Sequence, residues 1–162
     1  MKDLIIRPTV KEDRKHLINW LKDKDTLRWY PMSSEKELEV STSVWMNYIA
    51  KKSVITADYK GIPCGAALIY IQDVKKISHH SLFAMIVNKD YRGKGIGTNL
   101  LKEVILISKK FKLEILLLEV YEGNPAIRLY RRFGFKEFGV HKKFLKDENG
   151  NYFDKIMMQK YL

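Results

Sequence analysis

The chain is poor in the features that would fix its class at once. Its one cysteine, Cys64, excludes an intramolecular disulfide and any cysteine-rich zinc site. The opening stretch MKDLIIRPTVKED has no apolar run of signal-peptide length, and no later run is long enough to cross a membrane, so a cytoplasmic protein is expected. No repeat, low-complexity segment or linker rich in Pro, Gly or Ser interrupts the 162 residues, which suit one domain, 1–162, better than two. A basic tail is also missing. The formal net charge is +11, but the Lys-Lys pairs at 51–52, 75–76, 109–110 and 142–143 are spread evenly. That pattern reads first as solvated surface, with a polyanionic partner as the alternative.

What is present is clear periodicity. LIIRP (4–8) reads as a strand stopped by Pro8, and a helix is expected to start at Thr9, with Leu17, Trp20 and Leu21 on one face. A second helix has a cap at Ser33 or Ser34 and apolar Leu38, Trp45, Tyr48 and Ile49. Strands are then expected up to Tyr59, through Ala66 to Ile71, and over 78–87, the last apolar enough to be central and covered on both faces. A helix with Ile96, Leu100, Leu101 and Val104, a strand over 114–121, a short helix in NPAIRLYRRF and two strands around KDENGNY complete the order. The fold class is α/β (α+β), with about seven strands in a mixed sheet and helices on both faces.

Between the strand and the long helix lies NKDYRGKGIGTNLL (88–101). Peptide N–H groups can crowd around a phosphate only where side chains are absent, and Gly93, Gly95 and Gly97 provide that access. The helix start adds free donors and the positive end of its dipole; Arg92, Lys94 and Thr98 add charge and a hydroxyl. A pyrophosphate suits this arrangement. A glycine turn that only lets a helix pack close to a strand is the competing reading. The spacing matches neither G-x-x-x-x-G-K-[ST] nor G-x-G-x-x-G.

The stretch resembles the acetyl-CoA loop of the GCN5-related N-acetyltransferase (GNAT) family, [RQ]-x-x-G-x-[GA], here Arg92, Gly95 and Gly97. LEVYEGNPAIRLYRRFGFKEFG (118–139) is similar to the family's second marker, a strand, an Asn, a short helix ending in Tyr, then Gly-Phe. The resemblance spans essentially the whole chain. It implies the GNAT-like, mostly antiparallel sheet and an enzyme, an acyltransferase, that moves acetyl from acetyl-CoA to a primary amine without a metal. The strand ending at Val87 and the strand through Glu119 would splay around the cofactor. Backbone at Met85 and Val87 would bind the pantetheine and thioester oxygen, the loop Arg92–Gly93–Lys94–Gly95–Ile96–Gly97–Thr98 the pyrophosphate, and Asn124 the pantetheine arm.

Tyr130 matches the family's tyrosine that protonates the CoA sulfur, and an ordinary phenol near ~10 keeps its proton at neutral pH. It could equally be an aromatic packed on Phe133 and Phe135. Glu119, lone in ILLLEVY, matches a glutamate that draws the amine proton through water; otherwise it pairs with a neighbouring Lys. NPAIRLY is one residue shorter than the commoner N-x-x-A-I-x-L-Y. His79 and His80 are the second choice of base and lack a third ligand for a metal. The acceptor, a small-molecule amine or a peptide N-terminus, would be framed by Trp29, Tyr30 and Met32 and by Asp147 and Glu148. Dimers are common in the family, so a homodimer is compatible with the resemblance. A module of the same fold that senses acyl-CoA without turnover, and less favourably a basic nucleic-acid-binding domain, remain as alternatives.

Overall fold

A computed structural model describes residues 3–162. Strands β1 (Leu4–Pro8), β2 (Val54–Tyr59), β3 (Ile62–Ile69), β4 (His80–Val87), β5 (Ile115–Tyr121), β6 (Lys136–Lys146) and β7 (Tyr152–Tyr161) form one sheet in the order β1-β2-β3-β4-β5-β7-β6. Every neighbouring pair is antiparallel except β4 and β5. The helices are α1 (Arg14–Lys22), α2 (Lys24–Leu27), α3 (Glu35–Asn47), α4 (Ile96–Lys110) and α5 (Ala126–Arg132). The mixed, mostly antiparallel seven-stranded sheet expected from the sequence is the one observed. The four-residue α2 has no periodic signal of its own; Asp23 starts it by accepting the Thr26 N–H at 3.0 Å.

Two apolar layers sandwich the sheet. Leu17 and Trp20 of α1 and Leu38 and Trp45 of α3 pack on Val54 and Leu68. On the opposite face Leu100, Leu101 and Val104 of α4 meet Ala57, Ile69 and Leu116. Each such side chain contributes about 1.5–3 kcal/mol on burial. Ser34 caps α3 reciprocally: its Oγ accepts the Glu37 N–H, and Glu37 Oε2 accepts the Ser34 N–H. The first helix starts later than Thr9. The Thr9 N–H instead donates to Val54 O (3.1 Å) and prolongs the sheet edge, and a 3-10 turn at Lys11–Asp13 leads into α1.

β3, buried from Pro63 to Ile69, is the strand covered on both faces. In β4, Phe83 and Ile86 are buried, but Leu82, Ala84, Met85 and Val87 are half-exposed, which corrects the expectation of full cover. The cause is a break in the sheet. β4 and β5 pair only at His80–Ile115, Ser81–Leu116 and Leu82–Leu117. Beyond that, β4 stays with β3 as far as Val87, and β5 stays with β7 as far as Tyr121. A wedge-shaped gap opens between them.

At the far edge, buried Asp13 ties β1, β2 and α1 together. It accepts from Arg7 Nη1 (2.7 Å) and Nη2 (2.9 Å), from Val10 N (3.0 Å) and from Thr56 Oγ1 (3.0 Å). Burial pulls this carboxyl upward, but the hydrogen bonds from Arg7, Val10 and Thr56 prevail and hold it below the ordinary aspartate value. Its stabilisation is therefore complete above the unfolded pKa of about 3.9 and is lost as pH falls through the lower folded value. Asp13→Asn should cost about 2–3 kcal/mol near neutral pH and make stability less sensitive to acid below about pH 4. Urea denaturation of both proteins at about pH 7 and about pH 3 checks this; equal midpoint shifts at both would contradict it.

Candidate active site

Peptide groups alternate in direction along a strand. The Tyr70 N–H donates to Leu82 O (2.8 Å) and the Asn88 N–H to Cys64 O (2.9 Å), so the even-numbered residues of β4 face β3. Those of Met85 and Val87 face the gap. Their carbonyls are taken: the Tyr30 hydroxyl donates to Met85 O at 2.9 Å and Arg92 Nε donates to Val87 O at 3.2 Å. What Met85 and Val87 offer the gap is their N–H groups.

On the α4 side the gap widens into a cavity of about 540 Å³. Met85, Val87, Arg92, Gly93 and Gly95 line one wall. Ile96, Gly97, Thr98, Asn124 and Tyr130 also line the cavity. Gly93 (φ 73°) and Gly95 (φ 80°) take left-handed backbone that a side chain would strain. Gly95 caps α4, and the first helical bond is the Asn99 N–H to Gly95 O, so the N–H groups of Ile96, Gly97 and Thr98 have no helical acceptor. Gly97 is already helical. A Cβ there would lie 3.4 Å from Leu129 Cδ2 and 3.8 Å from Met85 Cε, in ordinary van der Waals contact with the cavity wall.

The cations differ in what they do. Arg92 lines the cavity, yet its Nη2 donates to Thr26 Oγ1 (2.7 Å) and its Nε to Val87 O, so it also pins α2 to the end of β4. Lys94 is outside the lining: its Nζ donates to Asp90 O (2.8 Å) and lies 5.1 Å from the Tyr91 ring centre. Arg132, absent from the sequence-based set, lines the cavity and donates to Thr98 Oγ1 at 3.0 Å. Its only sequence signal is its place beside Tyr130 in LYRRF.

Through the gap lies a second lobe of about 260 Å³. Trp29, Tyr30, Met85, Asn124 and Tyr130 border both spaces. The shortened Asn–Tyr interval therefore keeps both residues at one cleft: Asn124 Oδ1 accepts the Ala126 N–H (2.9 Å) and starts α5 one residue after Pro125. Tyr130 is buried edge-on to Phe83 and Phe135, and Phe83 takes the place expected for Phe133. Burial pushes its phenol up to about 12. Glu119 lines the second lobe, 41% exposed, and its Oε1 accepts from Lys155 Nζ at 3.0 Å. Lys155 also sits 3.9 Å from the Phe144 ring centre.

Other expected residues lie elsewhere. His79 and His80 meet edge to face where β4 still pairs with β5. From His80 to Met85 the strand rises about 16 Å, and neither histidine lines the cleft. Asp147 and Glu148 stand on the exposed β6–β7 turn, where Asp147 Oδ1 accepts from the Asn149 and Asn151 N–H groups. Neither residue lines the cleft. Trp29, Tyr30 and Met32 do wall the second lobe.

Comparison with known proteins gives this geometry a context. The pattern of the acetyltransferase (GNAT) family matches residues 15–135. The L-amino acid N-acetyltransferase AaaT of Escherichia coli is 28% identical over 123 residues, 73% of this chain and 75% of that protein. The ribosomal-protein-alanine N-acetyltransferase from Brucella melitensis has the same fold with TM-score 0.83 at 26% identity, covering 98% of this chain and 99% of that one. At 18% identity the fold alone is shared with yncA from Salmonella typhimurium, solved with its cofactor acetyl-CoA; the TM-score is 0.83 over 99% and 94% of the two chains.

The position of Tyr130 gives a spectroscopic expectation. In alkaline titration, the phenolate signal present in the wild type and missing from Tyr130→Phe should appear at about pH 12. A Tyr130-dependent signal appearing near pH ~10 instead would show an exposed, ordinary phenol.

Proposed function

The chain belongs to the acetyltransferase (GNAT) family, and on that premise we propose that it transfers acetyl from acetyl-CoA to a primary amine, of a small molecule or a peptide N-terminus, by direct aminolysis. The observation that carries this reading is the parting of β4 from β5 after three residue pairs. It leaves strand donors aimed into a cleft whose two lobes meet at Asn124 and Tyr130.

The residues present fit acetyl-CoA. The free N–H groups of Ile96, Gly97 and Thr98, with Arg92 and Arg132 at the wall, suit a diphosphate. Gly97 lets the helix start come close to the cavity, and Asn124 and the Met85 and Val87 N–H groups suit the amide-bearing arm and the acyl oxygen. Acetyl-CoA supplies an activated acyl carbon and a thiolate leaving group.

The chain's own groups would manage the protons. Glu119 keeps one oxygen on Lys155 and offers the other, directly or through water, to an incoming ammonium ion. Once the nitrogen is neutral it can form the C–N bond as the C–S bond breaks. Tyr130, buried and protonated, would donate a hydrogen bond to the departing sulfur while the amine's second proton reaches it.

Calorimetric titration with acetyl-CoA should show binding in about the micromolar range or tighter. Gly95→Val, strained at φ 80°, should lose that binding while the far-ultraviolet spectrum persists; unchanged affinity would remove the loop from the site. Tyr130→Phe should lower kcat roughly a hundredfold with acetyl-CoA affinity kept. Full turnover in that variant would end the acid role. Binding without thiol release on any amine would leave a module that only senses acyl-CoA.

A further inference from the structure

The second lobe has an unusual balance of charge and apolar surface for a site that must receive an amine. Trp29, Tyr30, Met32, Tyr70, Tyr121 and Phe144 make its walls. Among its lining residues Glu119 alone carries charge, and that carboxylate already holds Lys155 at 3.0 Å. Burial raises the phenols of Tyr30, Tyr70, Tyr121 and Tyr130, so all four stay neutral near physiological pH.

From this lining we propose that the acceptor is a small monoamine with an apolar, ring-sized body and no second charge, its amine at Glu119 and its body against the aromatic walls. The inference rests on the acetyltransferase reading and narrows it. One ammonium ion can be received by aromatic faces and Glu119, and the same apolar surroundings lower its pKa and help it lose the proton. A polyamine would carry one or two further ammonium groups into a lobe with no further carboxylate. An amino acid would bring a carboxylate to a lobe that no cation lines, and Lys155 beside it is engaged by Glu119 and by the Phe144 ring. An unpaired charge in such surroundings is strongly disfavoured. The net charge of +11 adds nothing to the attraction of a polycation. A volume of about 260 Å³ suits one ring and a short arm. The reaction balances without another reactant: Glu119 takes one ammonium proton and passes it to water, the neutral nitrogen bonds to the acyl carbon as the C–S bond breaks, the second proton that nitrogen gives up ends on the departing sulfur, and the products are an acetamide and CoA thiol.

The test is thiol release from acetyl-CoA by the full chain with phenethylamine, spermidine or L-phenylalanine as acceptor. Phenethylamine should exceed each of the others in kcat/KM by at least about tenfold. Ser41 lines the lobe from α3, so Ser41→Asp, which adds a second acid, should move the ratio toward spermidine several-fold. Faster turnover of spermidine or phenylalanine by the wild type would overturn the inference and leave the acetyltransferase reading standing. An unchanged ratio in Ser41→Asp would show that the acceptor body lies outside this lobe. Acetyl-CoA binding with no thiol release on any of the three, nor on a wider amine panel, would instead overturn the transferase reading itself.

Discussion

The cleft in this fold depends on two parallel strands that stop pairing. Parallel strands normally continue their ladder, because an unpaired peptide group away from water is costly. Here, beyond the last pair, side chains occupy two acceptors that β5 would otherwise meet. The Tyr30 hydroxyl holds Met85 O and the Arg92 guanidinium holds Val87 O. On the other side, β5 is fixed along its length to β7 and cannot swing across. The sheet is thus two stiff halves joined over three residue pairs, and the gap between them is held open by the protein itself. The carbonyls are consumed in keeping it open and the N–H groups remain. That asymmetry suits a ligand whose groups facing the strand are acceptors.

The same residues tie the two lobes to each other. Arg92 reaches from the glycine loop to Thr26, and Thr26 is bound through its hydroxyl and its N–H to Asp23, which pairs with Lys89. Three residues after Thr26 comes Trp29, a wall of both spaces. Order at the α4 N-terminus and order in the α2 segment therefore share a network of charged hydrogen bonds. The basic character of the chain is locally divided too. Arg92 and Arg132 face the α4-side cavity, whereas the second lobe is lined by aromatics and one paired carboxylate.

The sequence was most legible where function is local. Gly93, Gly95 and the helix after them are neighbours in the chain, so backbone access, a left-handed cap and free donors could be read from spacing alone. Tyr30 and Met85 are 55 residues apart and Arg92 and Thr26 are 66 apart, and no periodicity announces such pairs. Glu119 meets Lys155 because β5 and β7 pair in a register that sets Glu119 opposite Met157 and Tyr121 opposite Lys155. Register is a tertiary result. The histidines stand apart for the opposite reason: His80 opens the right strand and His79 precedes it, but a strand is long, and its start lies where the sheet is still closed. β4 misled in a subtler way, since an apolar run was read as cover on both faces when part of it walls a cleft.

The environment of Tyr130 constrains what kind of acid it can be. A phenol at about 12 is a weaker acid than an ordinary tyrosine, and a free thiol lies near ~8.5. Complete transfer of its proton to a thiolate would be uphill by about 3–4 pKa units, or about 5 kcal/mol. A hydrogen bond donated to a sulfur that is gaining negative charge carries no such penalty and strengthens in apolar surroundings. The nitrogen that has just bonded to the acyl carbon is a far stronger acid than the phenol. In the proposed reaction the proton that ends on sulfur therefore originates on the amine, and Tyr130 stabilises the leaving group while that proton is delivered. Burial among Phe83 and Phe135 would suit this proposed role, because it keeps the phenol neutral and oriented.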